Sequence, residues 1–346
     1  MRILAFTMVS IFRSGRRKNF VVFGLSLRSR KPILVAVRSC FTFAIITISW
    51  LLSGCSKSSS PTDQGNNGQQ NPYQVFADSG KLAGVFGGGP IYKYPGVTIK
   101  DLKASGFTEV VVWNIFVQSD GDLNFNGEFP IVSGASYTGA STYPAFAGDM
   151  TALKQAPTSV QRITFSIGSS VVGVFQDIRD LINAQGTGPN SILYKNFEAL
   201  KASIPAIDAI DLDDENCYDS TTMESFCVML GNLGYKVMLD PYTYSSFWTE
   251  VASQVNRERP GIIDGVHLQC YAGGEGNSPC SDWDFGTVPV YAGVWDADLT
   301  PTEVQSQMAS WRKTCGLNGG WMWLYDDFYG TAKTAQYGAA IFNALK

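Results

Sequence analysis

The chain has 346 residues, of which 45% are hydrophobic and 16% charged, a balance that builds a globular body and excludes a disordered one. Nine of its 26 basic residues precede Cys55 with no acid among them, so 17 stand against all 30 acids in the remainder, and that balance of −13 disfavours a nucleic-acid partner. A single histidine, His267, excludes the multi-histidine metal sites of many hydrolases, so neither metal nor cofactor is expected; 13% aromatic residues suit a large core or a sugar-binding surface.

In chain order, Arg28, Arg30, Lys31 and Arg38 precede an uncharged run of thirteen residues, Phe41 to Ser53. A bilayer core of about 30 Å takes about 20 residues to cross, so the run is too short to span and has the length of a secretory apolar segment. Leu52-Ser53-Gly54-Cys55 closes it and resembles a bacterial lipobox. That resemblance implies a signal peptide over 1–54, a lipid anchor on Cys55 and a place in the bacterial cell envelope, facing the periplasm or the cell surface. Residues 55–72 are polar beyond the cysteine and read as a flexible tether. One domain is then expected over 73–346, as a monomer.

Over those residues short β-rich runs alternate with amphipathic helical patterns, the signature of a parallel sheet with crossover helices. Strands are expected at Leu82–Gly87, Glu109–Asn114, Arg162–Ile167, Ile207–Asp213, Lys236–Asp240, Gly265–Gln269, Val288–Val294 and Gly320–Tyr325. Helices are expected at Thr98–Ser105, Val174–Ala184, Tyr194–Ser203, Thr221–Leu233, Phe247–Arg257, Pro301–Cys315 and Ala332–Leu345, with Thr98 as a cap and Gly106 as a stop. Eight strands in this alternation predict an α/β fold, a closed (β/α)8 TIM barrel. Segment 119–150 breaks the pattern, and its Asp120-Gly121 and Asn126-Gly127 turns predict a hairpin insertion after strand two. The stretch Gly273–Thr287 carries no helix. Five cysteines follow Cys55, an odd number that leaves at least one free, and Cys270 with Cys280, which bracket a loop, are the expected bridge.

In such a barrel, chemistry sits at the carboxyl ends of the strands. The fourth expected strand ends Asp211-Leu212-Asp213-Asp214-Glu215. Strand side chains alternate, so Asp211, Asp213 and Glu215 share one face and Asp214 the other. If that face is the barrel interior, crowded like charges raise at least one pKa, as a general acid at neutral pH requires. An exposed acidic strand end is one alternative. A calcium loop is another, but Asn216 stands where an EF-hand loop needs glycine.

Asp208, Asp211, Asp213 and Glu215 also reproduce the spacing Asp-x-x-Asp-x-Asp-x-Glu, and here the chain resembles family 18 glycoside hydrolases, the chitinases and endo-β-N-acetylglucosaminidases. Ser166-Ile167-Gly168-Ser169 is similar to the family's Ser-x-Gly-Gly, and Gly319-Gly320-Trp321-Met322-Trp323 to its Gly-Gly-x-Met segment. Gln269-Cys270-Tyr271-Ala272 keeps the tyrosine of Met-x-Tyr-Asp and has Ala272 in place of the aspartate. The resemblance implies a carbohydrate substrate and hydrolysis of β-1,4-linked N-acetylglucosamine in which the substrate's own 2-acetamido group is the nucleophile, an exception to the two-carboxylate scheme. Glu215 would be the acid, Asp213 would orient the acetamido group, Asp211 would hold the shared proton behind it, and Tyr271 would hydrogen-bond the acetamido oxygen. Trp323, Trp321, Ser166, Asp208 and Gln269 would line the substrate site. The Asp-Asp-Glu ending inclines the reading toward an endo-β-N-acetylglucosaminidase acting on glycoprotein glycans, before a chitinase; the rival is a catalytically silent glycan-binding barrel of an uptake system.

Other residues stay open at this stage. Trp113, Tyr242, Tyr244, Trp248 and Trp295 lie near strand ends, as groove or as core. Asp240, Asp326 and Asp327 suit sugar hydroxyls or helix caps equally. His267 reads as a core histidine with no role in the site.

Overall fold

The computed structural model describes residues 70–170 and 173–346; Cys55, the signal segment and most of the tether lie outside the described residues. Eleven strands form one sheet: β1 (Leu82–Gly87), β2 (Glu109–Val117), β3 (Leu123–Phe125), β4 (Phe129–Ser133), β5 (Ser136–Tyr137), β6 (Arg162–Ser169), β7 (Ala209–Asp214), β8 (Lys236–Leu239), β9 (Ile263–Gln269), β10 (Val290–Trp295) and β11 (Gly319–Trp323). Eight of them, β1, β2 and β6 to β11, pair in parallel in chain order, and β1 pairs with both β2 and β11, which closes the ring. The eight-stranded barrel expected from the alternation is present, with β7 as its fourth strand.

Strands of a closed parallel barrel are covered on both faces, which is why runs such as Val110-Val111-Val112 are continuously apolar. Val110 and Val112 pack outward among the helices, with Ile163, Phe165, Ile210, Leu212, Val266 and Leu268 in the same core. Inward, Leu82, Phe86, Val111, Ala209, Met238, Tyr291 and Trp321 form a separate plug inside the ring. A Cβ on Gly293 would lie 2.2 Å from the Trp321 indole, and glycine there makes room for that ring.

Crossover helices follow from local rules. Thr300 caps Pro301–Cys315 in a reciprocal box with Glu303, Pro301 opens the helix, and Gly316 ends it at φ 73°. The helix expected from Thr98 begins earlier, at Pro95, because proline's fixed φ suits the first turn; Thr98 is buried inside it and donates its hydroxyl to the Pro90 carbonyl. Four short helices, Pro72–Asp78, Gly89–Lys93, Phe146–Lys154 and Tyr325–Phe328, lack a strong sequence pattern and are not among those expected; the last begins at Tyr325, the expected end of the eighth strand. Asn71, at the end of the stretch read as tether, accepts from Tyr73 N and caps the first of these. The insertion after β2 is larger than a hairpin: β3, β4 and β5 continue β2 as an antiparallel meander outside the ring, before the helix Phe146–Lys154.

The expected Cys270–Cys280 bridge does not form. Cys280 is bonded to Cys315 at the end of the helix Pro301–Cys315, with Cα atoms 5.4 Å apart, while Cys270 is free and half-buried. Strand alternation turns Cys270 outward from the ring, and the helix Pro301–Cys315 brings Cys315 to the loop instead.

Candidate active site

The site is a ladder of carboxyls on the interior face of β7. Asp211 is fully buried, Asp213 is 5% exposed, and Glu215, one residue past the strand, is half-buried at the mouth. Asp214 points the other way, as alternation requires. Its carboxylate accepts from the backbone N–H groups of Asn216 and Cys217 at 3.0 and 2.8 Å and of Tyr218 at 2.8 Å, and so braces the loop that carries Glu215.

Neighbouring strands hold the ladder. Ser166 on β6 donates to Asp211 Oδ2 at 2.8 Å, and Gln269 at the end of β9 donates to Asp213 Oδ1 at 3.2 Å. Between them Gly168 sits at φ +102°, where a Cβ would fall 2.5 Å from the Asp213 carbonyl oxygen. This close approach of β6 to β7 needs a glycine, which gives the Ser-x-Gly element a physical reason. Asp240, just after β8, is 2% exposed and its Oδ1 has no hydrogen-bond partner among the described residues.

Burial and like charge set the protonation. Burial first, then the charges of Glu215, Asp211 and Asp214, push Asp213 well above the usual carboxylate range. Burial, then Asp211, Asp213 and Glu215, do the same to Asp240. Glu215 is raised by burial and then by Asp214. Crowding therefore favours keeping a proton in the ladder at neutral pH. Burial and the surrounding acids also push the Tyr271 phenol well above its usual value, so it stays a neutral hydroxyl beside them.

Aromatic rings complete the mouth. Tyr271 and Trp323 lie nearly parallel with centroids 6.2 Å apart, and Trp113 meets Trp323 edge-on at 5.2 Å. The indole N–H groups of Trp113 and Trp295 are buried without partners among the described residues. Across the ring, beyond Glu215, Tyr218 stacks on Tyr244 at 4.7 Å, and Tyr244 is 63% exposed. Both residues have a left-handed backbone, φ 52° and 57°, a costly conformation for a tyrosine.

Of the residues expected to act here, Glu215, Asp213, Asp211, Tyr271, Gln269 and Trp323 converge. Three others do not reach the cavity. Asp208 lies at the opposite end of the strand, where it bonds Lys154 Nζ at 2.7 Å and Ile163 N at 2.8 Å; three residues from Asp211, it falls on the other face. Trp321 is wholly buried in the plug and donates to the Tyr291 carbonyl, because a ring on the inner face one level below the mouth has only the barrel core to fill. Ser166 is likewise wholly buried, and its hydroxyl is spent on Asp211. The sequence reading missed Glu109 and Arg162, whose signal was a lone charge at the start of an apolar strand, and it assigned no role to His267. A groove of about 1240 Å³ bordered by Tyr73, Ile99, Lys103 and Pro157 lies away from the ladder, with Asp149 as the acid in its lining.

No family model matches the chain, and no curated protein matches it. Solved structures do. The catalytic domain of a family 18 (GH18) chitinase from the fern Peteris ryukyuensis superposes with a TM-score of 0.53 at 18% identity, over 77% of this chain and 99% of that one. A GH18 chitinase from the chitin utilization locus of Flavobacterium johnsoniae gives 0.52 at 11% identity, over 77% and 94%. A variant GH18 chitinase from Cycas revoluta in complex with (GlcNAc)4 gives 0.51 at 11% identity, over 77% and 100%. The fold is that of the GH18 chitinases.

Proposed function

We propose that the protein is a glycosidase of the chitinase kind that hydrolyses β-1,4-linked N-acetylglucosamine. The observation that carries this reading is the ladder Asp211, Asp213, Glu215 on one interior face of the fourth barrel strand, graded from fully buried to mouth. Glu215 delivers its proton to the glycosidic oxygen while the substrate's 2-acetamido oxygen attacks the anomeric carbon. Asp213, held by Gln269, orients the acetamido group and faces the positive charge that develops on it, and the Tyr271 hydroxyl donates to the acetamido oxygen. Trp323 floors the sugar. The similar structures are themselves chitinases, one of them holding a GlcNAc oligomer, which supports the substrate class.

The Tyr218–Tyr244 pair supports cleavage inside a chain. Trp323 ends β11 while Tyr218 and Tyr244 follow β7 and β8, on the opposite side of the ring, so sugars are accommodated on both sides of Glu215. Asp214 bonds backbone and faces away from the cavity, and the inclination of the Asp-Asp-Glu ending toward glycoprotein glycans rests on the sequence resemblance alone. One observation favours a silent glycan binder: Ala272 replaces the aspartate of the resembled motif. Asp240, buried in the same cluster, restores a carboxyl from the neighbouring strand. The Cys55 anchor remains part of the proposal on the sequence signal alone.

Mass spectrometry after incubation with chitohexaose and, separately, with a high-mannose glycoprotein tests the reading. Shortened oligomers, or a glycan released between its two core N-acetylglucosamines, are expected. Binding without cleavage of either overturns hydrolysis in favour of the binder.

A further inference from the structure

Beneath the ladder lies a chain of charged groups whose inner members, His267, Glu109 and Asp211, are closed off from water. His267, on the inner face of β9, places Nδ1 2.8 Å from Asp211 Oδ1 and Nε2 3.0 Å from Glu109 Oε2, and all three side chains are at most 1% exposed. Glu109 opens β2, and its other oxygen accepts from Thr164 and faces Arg162 Nε at 3.2 Å. Arg162 in turn reaches Asp264 at 2.6 Å. The rings of Phe86, Trp321 and Tyr291 also pack against the imidazole.

We propose that His267 is a positioning residue for the carboxyl ladder: doubly protonated between Glu109 and Asp211, it holds Asp211 as a carboxylate and so confines the shared proton to Asp213 and Glu215. The functional half of this proposal rests on the reading of Glu215 as the acid; the protonation half does not.

The geometry drives the inference. Each ring nitrogen faces a carboxylate oxygen, so either neutral tautomer turns one lone pair onto an acceptor, whereas the imidazolium donates to both. The imidazolium stands between Glu109 and Asp211, while Arg162 divides its charge between Glu109 and the partly exposed Asp264, which Lys236 also meets at 3.7 Å. Burial alone would lower the His267 pKa, but the charge of Glu109 and the hydrogen bonds to Asp211 and Glu109 outweigh it and set it at about 9. The same contacts, with Arg162, carry Glu109 below its usual value against its burial. Burial leaves Asp211 above its usual value, and the hydrogen bond and charge of His267, then the bond from Ser166, limit that rise.

Asp211 thus accepts on both oxygens, from His267 and from Ser166; a proton on Oδ1 would displace the imidazolium donor, and one on Oδ2 would require the Ser166 hydroxyl to turn round and accept. The role of proton store implied for Asp211 then passes outward, to the two carboxyls nearest the substrate.

His267 is the chain's one histidine, so its ring gives the only imidazole signals in a nitrogen-15 spectrum of the labelled protein. Both ring nitrogens are expected to be protonated at pH 7, with deprotonation centred near pH 9. One unprotonated nitrogen at pH 7 overturns the proposal whether or not the protein hydrolyses anything. The second arm is the pH dependence of turnover in His267→Gln. Removing a buried cation raises the neighbouring acids, so the whole profile should move up by about one pH unit. A profile that only loses height, without moving, reduces His267 to a packing role and overturns its link to the ladder.

Discussion

Asp214 and Glu215 are neighbours in the chain and face opposite ways: Asp214 turns outward to accept three backbone N–H groups, and Glu215 turns to the barrel mouth. The first holds the loop from which the second acts, so the outward acid serves the site without entering it.

Asp214→Ala should therefore impair both folding and catalysis. Three partly buried amides lose their acceptor, which costs about 2 kcal/mol and lowers Tm by about 4–8 °C. Turnover should fall at least about tenfold as Glu215 loses its fixed place. Thermal unfolding and turnover measured on the same preparation check both; unchanged turnover would separate the loop from the chemistry.

Glu215→Gln should do the reverse. The amide keeps the shape and removes the proton, so turnover should drop by about 10²–10⁴-fold while Tm stays within about 2 °C. The wild-type rate should also fall on the alkaline side, because the acid must be protonated and its raised pKa sets that limb. Full activity of the variant on a chitin oligomer would remove Glu215 from the mechanism.

Stability should fall as pH rises through the range of His267. Its pKa is about 9 in the folded protein, against about 6.5 unfolded, so the proton is bound more tightly by the native state. The resulting stabilisation is complete below about pH 6.5 and is lost as pH passes about 9, with a size on the order of 3 kcal/mol. Urea midpoints at pH 6 and pH 9.5 measure the loss, and His267→Gln should flatten the difference.

Tyr244→Ala tests the outer platform. The ring is 63% exposed, so its removal should leave Tm nearly unchanged. Losing one stacking contact of about 0.5–1.5 kcal/mol should raise KM for chitohexaose by about two- to tenfold. A chromogenic substrate too short to reach the platform should be cleaved as before, and equal losses on both substrates would place Tyr244 elsewhere in the mechanism.

Much of the candidate site was legible because its residues are local to one strand. A strand alternates whatever it packs against, so Asp211, Asp213 and Glu215 had to share a face, and the eight apolar runs spaced by amphipathic helices had to form crossover units. The same rule excludes Asp208 from the ladder, although its place in a spaced motif suggested otherwise. Helices with a full set of end signals, such as Pro301–Cys315, were legible to the residue; short ones such as Phe146–Lys154 have too few turns to show a pattern.

The contacts that close the ring depend on distance in space and leave no periodic trace. His267 meets Glu109 across 158 positions and Asp211 across 56, and nothing around any of the three announces the others. Cys280 finds Cys315 in the same way, passing over the nearer Cys270. Chain-local alternation decides which side of a strand an acid occupies. Only closure of the barrel decides which groups from other strands meet it there, and those groups, by excluding water and supplying counter-charge, settle where its proton resides.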